Sequence, residues 1–205
     1  AGQLVIGPLS DRVGRRTLLI LGSVGTAVAA VVCALAPSIW VLVLGRVAQG
    51  FFGAAGIVLS KAVVVDVGRG AGVAKAFATL MALQSVAPVI APLVGGAVVP
   101  FGGWRGVFWL LAGLSVVTAI GVVAAVPETL HPGDRRTGGV MSTLGDMRFV
   151  ATSGPFVARV SVFVFTFGVL FAYISASPFI YQDMVGLSPT AYSVAFTVNA
   201  LGILA

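Results

Sequence analysis

Long apolar runs recur along the chain, and they limit its possible folds more than any other feature. A helix that rises about 1.5 Å per residue needs about 20 residues to cross a hydrocarbon core of about 30 Å. Apolar runs of that length lie at residues 17–36, 40–64, 74–100, 104–126 and 155–182. Residues 1–9 and the stretch from Ser188 are predicted to belong to two further helices. The sequence therefore predicts an all-α integral membrane chain with five whole helices and two partial ones.

The composition excludes a soluble domain. Hydrophobic residues make up 59% of the chain and charged residues 9%, whereas about 25% of the residues of a soluble domain are charged. The apolar runs lack the alternation of a membrane β-barrel and carry the Gly and Ala that are typical of packed membrane helices. Cys33 has no second cysteine to pair with, so we interpret it as a small buried hydrophobic residue.

Basic residues are distributed unevenly over the connections between the predicted helices. Ten of the twelve Lys and Arg residues fall on one side, namely Arg12, Arg15, Arg16, Lys61, Arg69, Lys75, Arg135, Arg136, Arg148 and Arg159. By the positive-inside rule, the loops at Arg12, Arg69 and Arg135 are predicted to be cytoplasmic. The connections predicted to lie outside are residues 37–38, 102–103 and 183–187. The net charge of +6 is therefore interpreted as an orientation signal and not as a nucleic-acid site.

One long polar connection, residues 127–154, is rich in Gly, Asp and Arg. It is predicted to link two helical bundles, residues 1–126 and 155–205. His131 in this connection is interpreted as a solvated side chain. Because the chain begins and ends within apolar segments, we expect it to be a fragment of a longer protein.

Motifs for chemistry on a substrate are absent from the sequence. It contains no phosphate-binding Gly-rich loop with Lys and Ser or Thr, and no paired His or Cys at metal-ligand spacing. We therefore expect no enzyme, no catalytic residue and no metal site. Transport, permeation and a structural membrane role remain as classes of function.

Arg46 lies about six residues inside a predicted span, which is about 9 Å below the membrane edge. An arginine at the centre of a membrane helix costs about 2.5 to 3.5 kcal/mol. Gln49, Gly50 and Gly53 share its helical face, so that face is predicted to look into protein or a water-filled cavity. The alternative is that the Arg46 side chain extends to the outer membrane surface.

Pro88 and Pro92 stand four residues apart within another predicted span, and each removes an amide donor. We therefore expect a kink or tight packing there. Gly95 and Gly96 follow, and small residues let a neighbouring helix approach closely. The segment is interpreted as a hinge or seal between helices, or as a kink without a role in transport.

Residues 7–19 place four charges between two apolar runs. The polar and glycine positions of interest are Gly7, Asp11, Arg12, Gly14, Arg15 and Arg16. Gly14 suits a tight turn, and Asp11 suits the cap of the next helix or a pair with a base. Anchoring to anionic lipid headgroups explains the arginines. It leaves Asp11 and the spacing of the glycines unexplained.

The spacing of residues 7–19 resembles the signature loop between the second and third helices of the major facilitator superfamily: Gly, x, Leu, small, Asp, Arg, x, Gly, Arg, Arg/Lys, x, x, apolar. Residues 42–50 resemble its fourth-helix motif. Residues 91–96 resemble its fifth-helix antiporter motif, with Ala91 in place of the usual Gly. The Bcr/CflA branch of drug:proton antiporters is similar at residues 127–130, 177–182 and 186–189.

The resemblance covers the whole chain and implies a fold of two six-helix bundles, here from the end of helix two to part of helix eight. It implies proton-coupled efflux of small lipophilic drugs or antibiotics across the inner membrane by alternating access. Protons would be the coupling ion, with no other cofactor, no nucleic acid and a monomer in the lipid bilayer. The alternatives are a facilitator or importer of a polar metabolite, and a sensor of the same fold without transport.

Carried over to this sequence, the resemblance assigns roles to three groups of residues. Arg46 and Gln49 would line the cavity and couple proton movement to the substrate. A cytoplasmic latch would comprise Gly7, Asp11, Arg12, Gly14, Arg15 and Arg16, with Asp66 as a hypothetical partner. Helix packing and proton leak would be controlled by Pro88, Pro92, Gly95 and Gly96. Gln84 and Asn199 are added as cavity candidates, because an amide in lipid is costly unless it is paired.

A proton-exchanging group is not evident within the predicted spans. Asp66, Glu128 and Asp183 all map near membrane edges, so the proton carrier is either one of these acids or lies outside this sequence. The aromatic residues of the span 155–182 are expected mainly to pack against lipid, with contact to a lipophilic substrate as the alternative. These aromatic residues are Phe163, Phe165, Phe167, Phe171 and Tyr173.

Overall fold

The computed structural model describes residues 2–131, 133, 145 and 152–204, and no strand occurs among them. The helices are α1 (Gly2–Val13), α2 (Arg15–Ala34), α3 (Ile39–Val67), α4 (Ala71–Ala125), α5 (Gly154–Pro178) and α6 (Pro189–Leu204). A π-helical turn, Phe179–Met184, continues α5. The prediction of an all-α chain is confirmed. The predicted cytoplasmic loop at Arg135 lies outside the described residues, as does most of the predicted linker.

Within the described part of the chain, four helices are long and apolar enough to cross a membrane: α2, α3, α4, and α5 together with its π-helical turn. The 55 residues of α4 would extend about 80 Å as a straight helix, more than twice the hydrocarbon thickness. However, Gly103 has φ 58° and ψ −164°, a conformation open essentially to glycine alone. The reversal at this glycine divides α4 into two membrane-length halves, which correspond to the predicted spans 74–100 and 104–126.

Close approach of the two halves of α4 supports this reversal. A Cβ atom added to Gly106 would lie 3.1 Å from the Val98 side chain. In a straight helix, residues eight positions apart are separated by about 12 Å, so these two could not meet. The chain is therefore a multi-pass membrane protein in which α4 turns sharply at Gly103.

Contacts divide the described residues into two compact units, one within residues 1–84 and 98–137 and one within residues 85–97 and 138–205. The first unit holds α1, α2, α3 and most of α4. The second holds the middle of α4 together with α5 and α6. The division predicted from sequence, with a linker at residues 127–154, stays a prediction.

Small residues allow α2 and α3 to pack closely in the first unit. A Cβ on Gly45 would lie 2.6 Å from the Sγ of Cys33. Cys33 is fully buried, which confirms its interpretation as a small buried residue. At the other end of these helices, a hydrophobic cluster forms around Ile6, Leu18 and Leu59. Leu18 of this cluster lies three residues after Arg15 on α2, so the cluster packs next to the charged side chains at this end of the helices.

Candidate functional site

A cluster of charged side chains lies at one end of the first unit, where α1 meets α2. Arg15 is at its centre: its Nη1 lies 2.6 Å from Asp11 Oδ1, and its Nε lies 3.1 Å from Asp66 Oδ2. The Arg15 side chain is 12% exposed. The turn that presents it depends on Gly14, whose φ of 113° favours glycine. We call Asp11, Arg15, Asp66 and Glu128 the charged cluster.

Ser10 makes a further hydrogen bond with the Arg15 guanidinium. Its side chain is fully buried, its Oγ donates to the Gly7 carbonyl at 2.6 Å, and it accepts a bond from Arg15 Nη1. Arg16 turns away from the cluster and donates to the Val123 carbonyl at 2.8 Å. The guanidinium of Arg15 therefore meets three oxygen acceptors from α1 and α3.

Glu128 joins the charged cluster from the segment after α4. Its Oε1 accepts from the Arg15 backbone N–H at 2.9 Å and from the Leu130 N–H at 3.1 Å. Next to it, Thr129 Oγ1 donates to Asp66 Oδ2 at 3.0 Å. Sequence reasoning placed both residues in a family motif and named Glu128 as a possible proton carrier, but it did not predict their contacts with Arg15 and Asp66. The available signal was the chain's single Glu, placed directly after a long apolar run.

The remaining residues of the predicted latch lie near the cluster without joining its ion pairs. Gly7 meets α3 at ordinary contact distance, since an added Cβ would be 3.7 Å from Val58. Arg12 is exposed. The structure therefore joins α1, α2, α3 and the segment after α4 through the few atoms around Arg15.

Arg46 and Gln49 form a second polar pair, one turn apart on α3. Arg46 Nη1 donates to Gln49 Oε1, and the guanidinium carbon lies 5.8 Å from the centre of the Phe108 ring. Gln49 is 8% exposed, whereas Arg46 is exposed. The pair presents the remaining guanidinium donors on the part of α3 before Ser60, which is otherwise apolar. Such donors can bind an anionic or hydrogen-bonding group.

The backbone through Pro88 and Pro92 remains helical, so the kink expected there is not found as a break in the torsions of α4. The helix reverses instead at Gly103, because a positive φ breaks the helix more sharply than two missing amide donors. Tight packing does occur further along. A Cβ on Gly96 would lie 2.7 Å from Ser193 Oγ of α6, while one on Gly95 would meet nothing within 4 Å.

The two amide candidates occupy different surroundings. Asn199 Nδ2 donates to the hydroxyl of Tyr173 at 2.7 Å, and the Tyr173 ring stacks on Phe196 with centroids 5.8 Å apart. Gln84 is exposed on α4. The pairing of Asn199 could not be found from sequence, because Tyr173 lies 26 residues earlier, on another helix.

Among the described residues, no group of three or more His, Cys, Asp or Glu side chains could hold a metal ion. The acids that were considered as proton carriers differ in setting. Asp66 and Glu128 belong to the charged cluster, whereas Asp183 is exposed on the π-helical turn.

The sequence matches the family model described as Major Facilitator Superfamily over residues 1–205. It is 37% identical over 205 residues to the uncharacterized MFS-type transporter YdgK of Bacillus subtilis, covering 99% of this chain and 51% of that protein. It is 35% identical over 198 residues to the multidrug transporter MdfA of Escherichia coli O6:H1, covering 94% and 47%. It is 28% identical over 204 residues to the bicyclomycin resistance protein homolog of Haemophilus influenzae, covering 99% and 51%. The chain thus spans about half the length of these relatives.

Proposed function

The chain belongs to the major facilitator superfamily, and we propose that the protein exports small lipophilic drugs or antibiotics in exchange for protons. Transport would proceed by alternating access across the inner membrane, with protons as the only coupling species and a single chain as the working unit. The similarity to a multidrug transporter and to a bicyclomycin resistance protein homolog supports a drug as the substrate.

The observation that carries this proposal is the Arg46–Gln49 pair within the apolar helix α3. An arginine in a membrane span is costly, and it is retained where it meets a polar group or a cavity. We assign Arg46 the role of coupling proton movement to the substrate. A fixed positive charge attracts a nearby acid while that acid is ionised, and the attraction is lost when the acid is protonated. Gln49 orients the guanidinium, and Gln84 and Asn199 are assigned to the substrate cavity.

The conformational latch is assigned to the residues where α1 meets α2, together with one acid of α3: Gly7, Asp11, Arg12, Gly14, Arg15, Arg16 and Asp66. Ion pairs between the ends of α1, α2 and α3 stabilise one arrangement of these helices. When the ion pairs break, the helices can adopt a second arrangement. The loops at Arg12 and Arg69 carry the excess of basic residues, so we assign this end of the first unit to the cytoplasm. Pro88, Pro92, Gly95 and Gly96 are assigned to helix packing that limits proton leak.

Transport by the full-length protein in proteoliposomes tests the proposal. A pH difference is imposed across vesicles loaded with one of a panel of lipophilic drugs, and the expected result is drug movement against its own gradient. Collapse of the pH difference with an ionophore should stop this movement. Absence of pH-driven flux for the whole panel would contradict drug export by proton exchange.

The same vesicles distinguish the two alternative functions. A facilitator would let a polar metabolite move down its gradient at a rate that is independent of the imposed pH difference. A sensor would bind its ligand without any flux. Vesicles without protein give the background rate in each measurement.

A further inference from the structure

The segment directly after α4 makes contacts that the proposed function does not use. It contains Pro127, Glu128, Thr129 and Leu130, and it begins the predicted linker. We propose that Glu128 and Thr129 are positioning residues. They clasp this segment to the first turn of α2 and the last turn of α3, and so hold Arg15 where it pairs with both of its acids.

The start of α2 needs an acceptor that its own sequence does not supply. The first turn of a helix leaves four backbone N–H groups without partners inside the helix. The residue before α2 is Gly14, which has no side chain to accept a bond. Glu128 Oε1 accepts the first of these amides, that of Arg15, from 113 residues further along the chain. A carboxylate at this position is also stabilised by the positive end of the helix dipole.

The clasp fixes the segment at more than one point. The Glu128 oxygen that caps α2 also accepts from the Leu130 N–H, which curls the segment around the carboxylate. Thr129 Oγ1 donates to Asp66 Oδ2, the same oxygen that pairs with Arg15 Nε. The segment therefore contacts both the backbone of Arg15 and the acid that its side chain binds.

This geometry explains why a third carboxylate can lie beside a single arginine. Glu128 bonds the backbone amide of Arg15 and not its guanidinium, so the guanidinium stays available to Asp11, Asp66 and Ser10. Loss of the Glu128 carboxylate would free the first turn of α2. Loss of the Thr129 hydroxyl would remove one of the two bonds to Asp66 Oδ2 and leave the bond from Arg15 Nε. In either case the position of Arg15 is less restricted. A shift in the segment after α4 would therefore change the contacts of the latch residues Arg15 and Asp66 directly.

Hydrogen exchange of the full-length protein, followed by mass spectrometry, tests the clasp without reference to transport. In Glu128→Ala, amides of the first turn of α2 should exchange about fivefold faster, the effect expected from the loss of one cap. Glu128→Gln keeps a side-chain oxygen acceptor and should stay within about twofold of wild type. Thr129→Val should speed exchange at the end of α3. Its matched control is Thr79→Val, because the Thr79 hydroxyl bonds only the Lys75 carbonyl of its own helix.

Transport and binding then test positioning, a step that rests on the proposed function. Glu128→Ala should lower the maximal rate of drug transport several-fold, with drug affinity within about twofold of wild type, and Glu128→Gln should restore most of the rate. Unchanged exchange at α2 in Glu128→Ala would overturn the clasp. A Glu128→Gln protein that exchanges like wild type yet transports nothing would overturn the positioning role, since the carboxylate would then act through its charge or its proton.

Two other results, an inactive wild-type protein and a Glu128→Ala protein that does not fold, can be told apart from failure of the clasp. A wild-type protein without pH-driven flux would contradict the proposed function, while the exchange measurement would still decide the clasp. If Glu128→Ala does not fold, Thr129→Val against Thr79→Val decides it, and equal exchange at the end of α3 in these two variants would overturn it.

Discussion

Replacement of Arg46 by Ala is expected to abolish transport while the protein still inserts and folds. The α3 helix begins at Ile39, so Arg46 lies seven residues and about 10 Å along its axis. Its removal relieves an insertion cost of about 2.5 to 3.5 kcal/mol for an arginine at a helix centre. Against this stand the bond to Gln49, about 1.5 to 3 kcal/mol, and the contact with the Phe108 ring, about 0.5 to 1 kcal/mol.

These opposing contributions offset each other to within about 1.5 kcal/mol, so the folded fraction of Arg46→Ala should stay close to that of wild type. Transport should fail, because Ala provides neither the charge nor the donors. Arg46→Lys keeps the charge but loses the planar fork of donors, and we expect a rate between those of wild type and Arg46→Ala.

The assay is pH-driven drug uptake in proteoliposomes, normalised to inserted protein, with the thermal midpoint of unfolding measured in parallel. The control is Lys75→Ala, which removes one exposed positive charge outside the candidate sites. Transport by Arg46→Ala at the wild-type rate would mean that the arginine only extends to the membrane surface. Failure of Arg46→Ala to insert would refute the energy balance. An equal loss of drug uptake in Lys75→Ala would show that transport depends on net charge alone.

Three further changes test other parts of the structure. Asp11→Asn should slow drug transport several-fold while drug affinity, measured by equilibrium binding, stays within about twofold, because the latch lies apart from the assigned cavity; a selective loss of binding would contradict this. Gly103→Ala should lower stability by about 1 to 3 kcal/mol, as its φ of 58° with ψ −164° excludes a Cβ; an unchanged thermal midpoint would argue against the reversal of α4. Gly96→Val should weaken packing against Ser193 and lower the thermal midpoint, whereas Gly95→Val, with open space at its Cβ, should not; equal effects of the two would refute the close approach.

Prediction from sequence succeeded where a local property decides the structure. The spans follow from apolar runs, since each residue adds a fixed rise and lipid requires every backbone group to bond within its own helix. The turn at Gly14 also follows locally, because its φ of 113° favours glycine. The kink or tight packing predicted at Pro88 and Pro92 stays a prediction, since the torsions of α4 are helical there, and the reversal lies at Gly103, where φ is positive.

The candidate sites were predicted only in part. Arg46 and Gln49 were paired correctly because they lie one turn apart on one helix, where spacing fixes neighbours. The ring of Phe108 beneath the guanidinium belongs to the second half of α4 and has no local signal in the sequence. The same holds for Tyr173, which pairs with Asn199 across two helices.

The amino-acid sequence by itself determined that the chain spans a membrane, where its helices lie, and that residues 7–19 place four charges where two of them meet. Only the tertiary structure decided which charges meet. Arg15 pairs with Asp66 from 51 residues away, and its backbone is capped by Glu128 from 113 residues away. Hydropathy and helical spacing act over one or two turns, whereas these bonds depend on how α1, α2, α3 and the end of α4 pack. That packing, through Glu128 and Thr129, turns a charged loop into a cluster with a defined geometry.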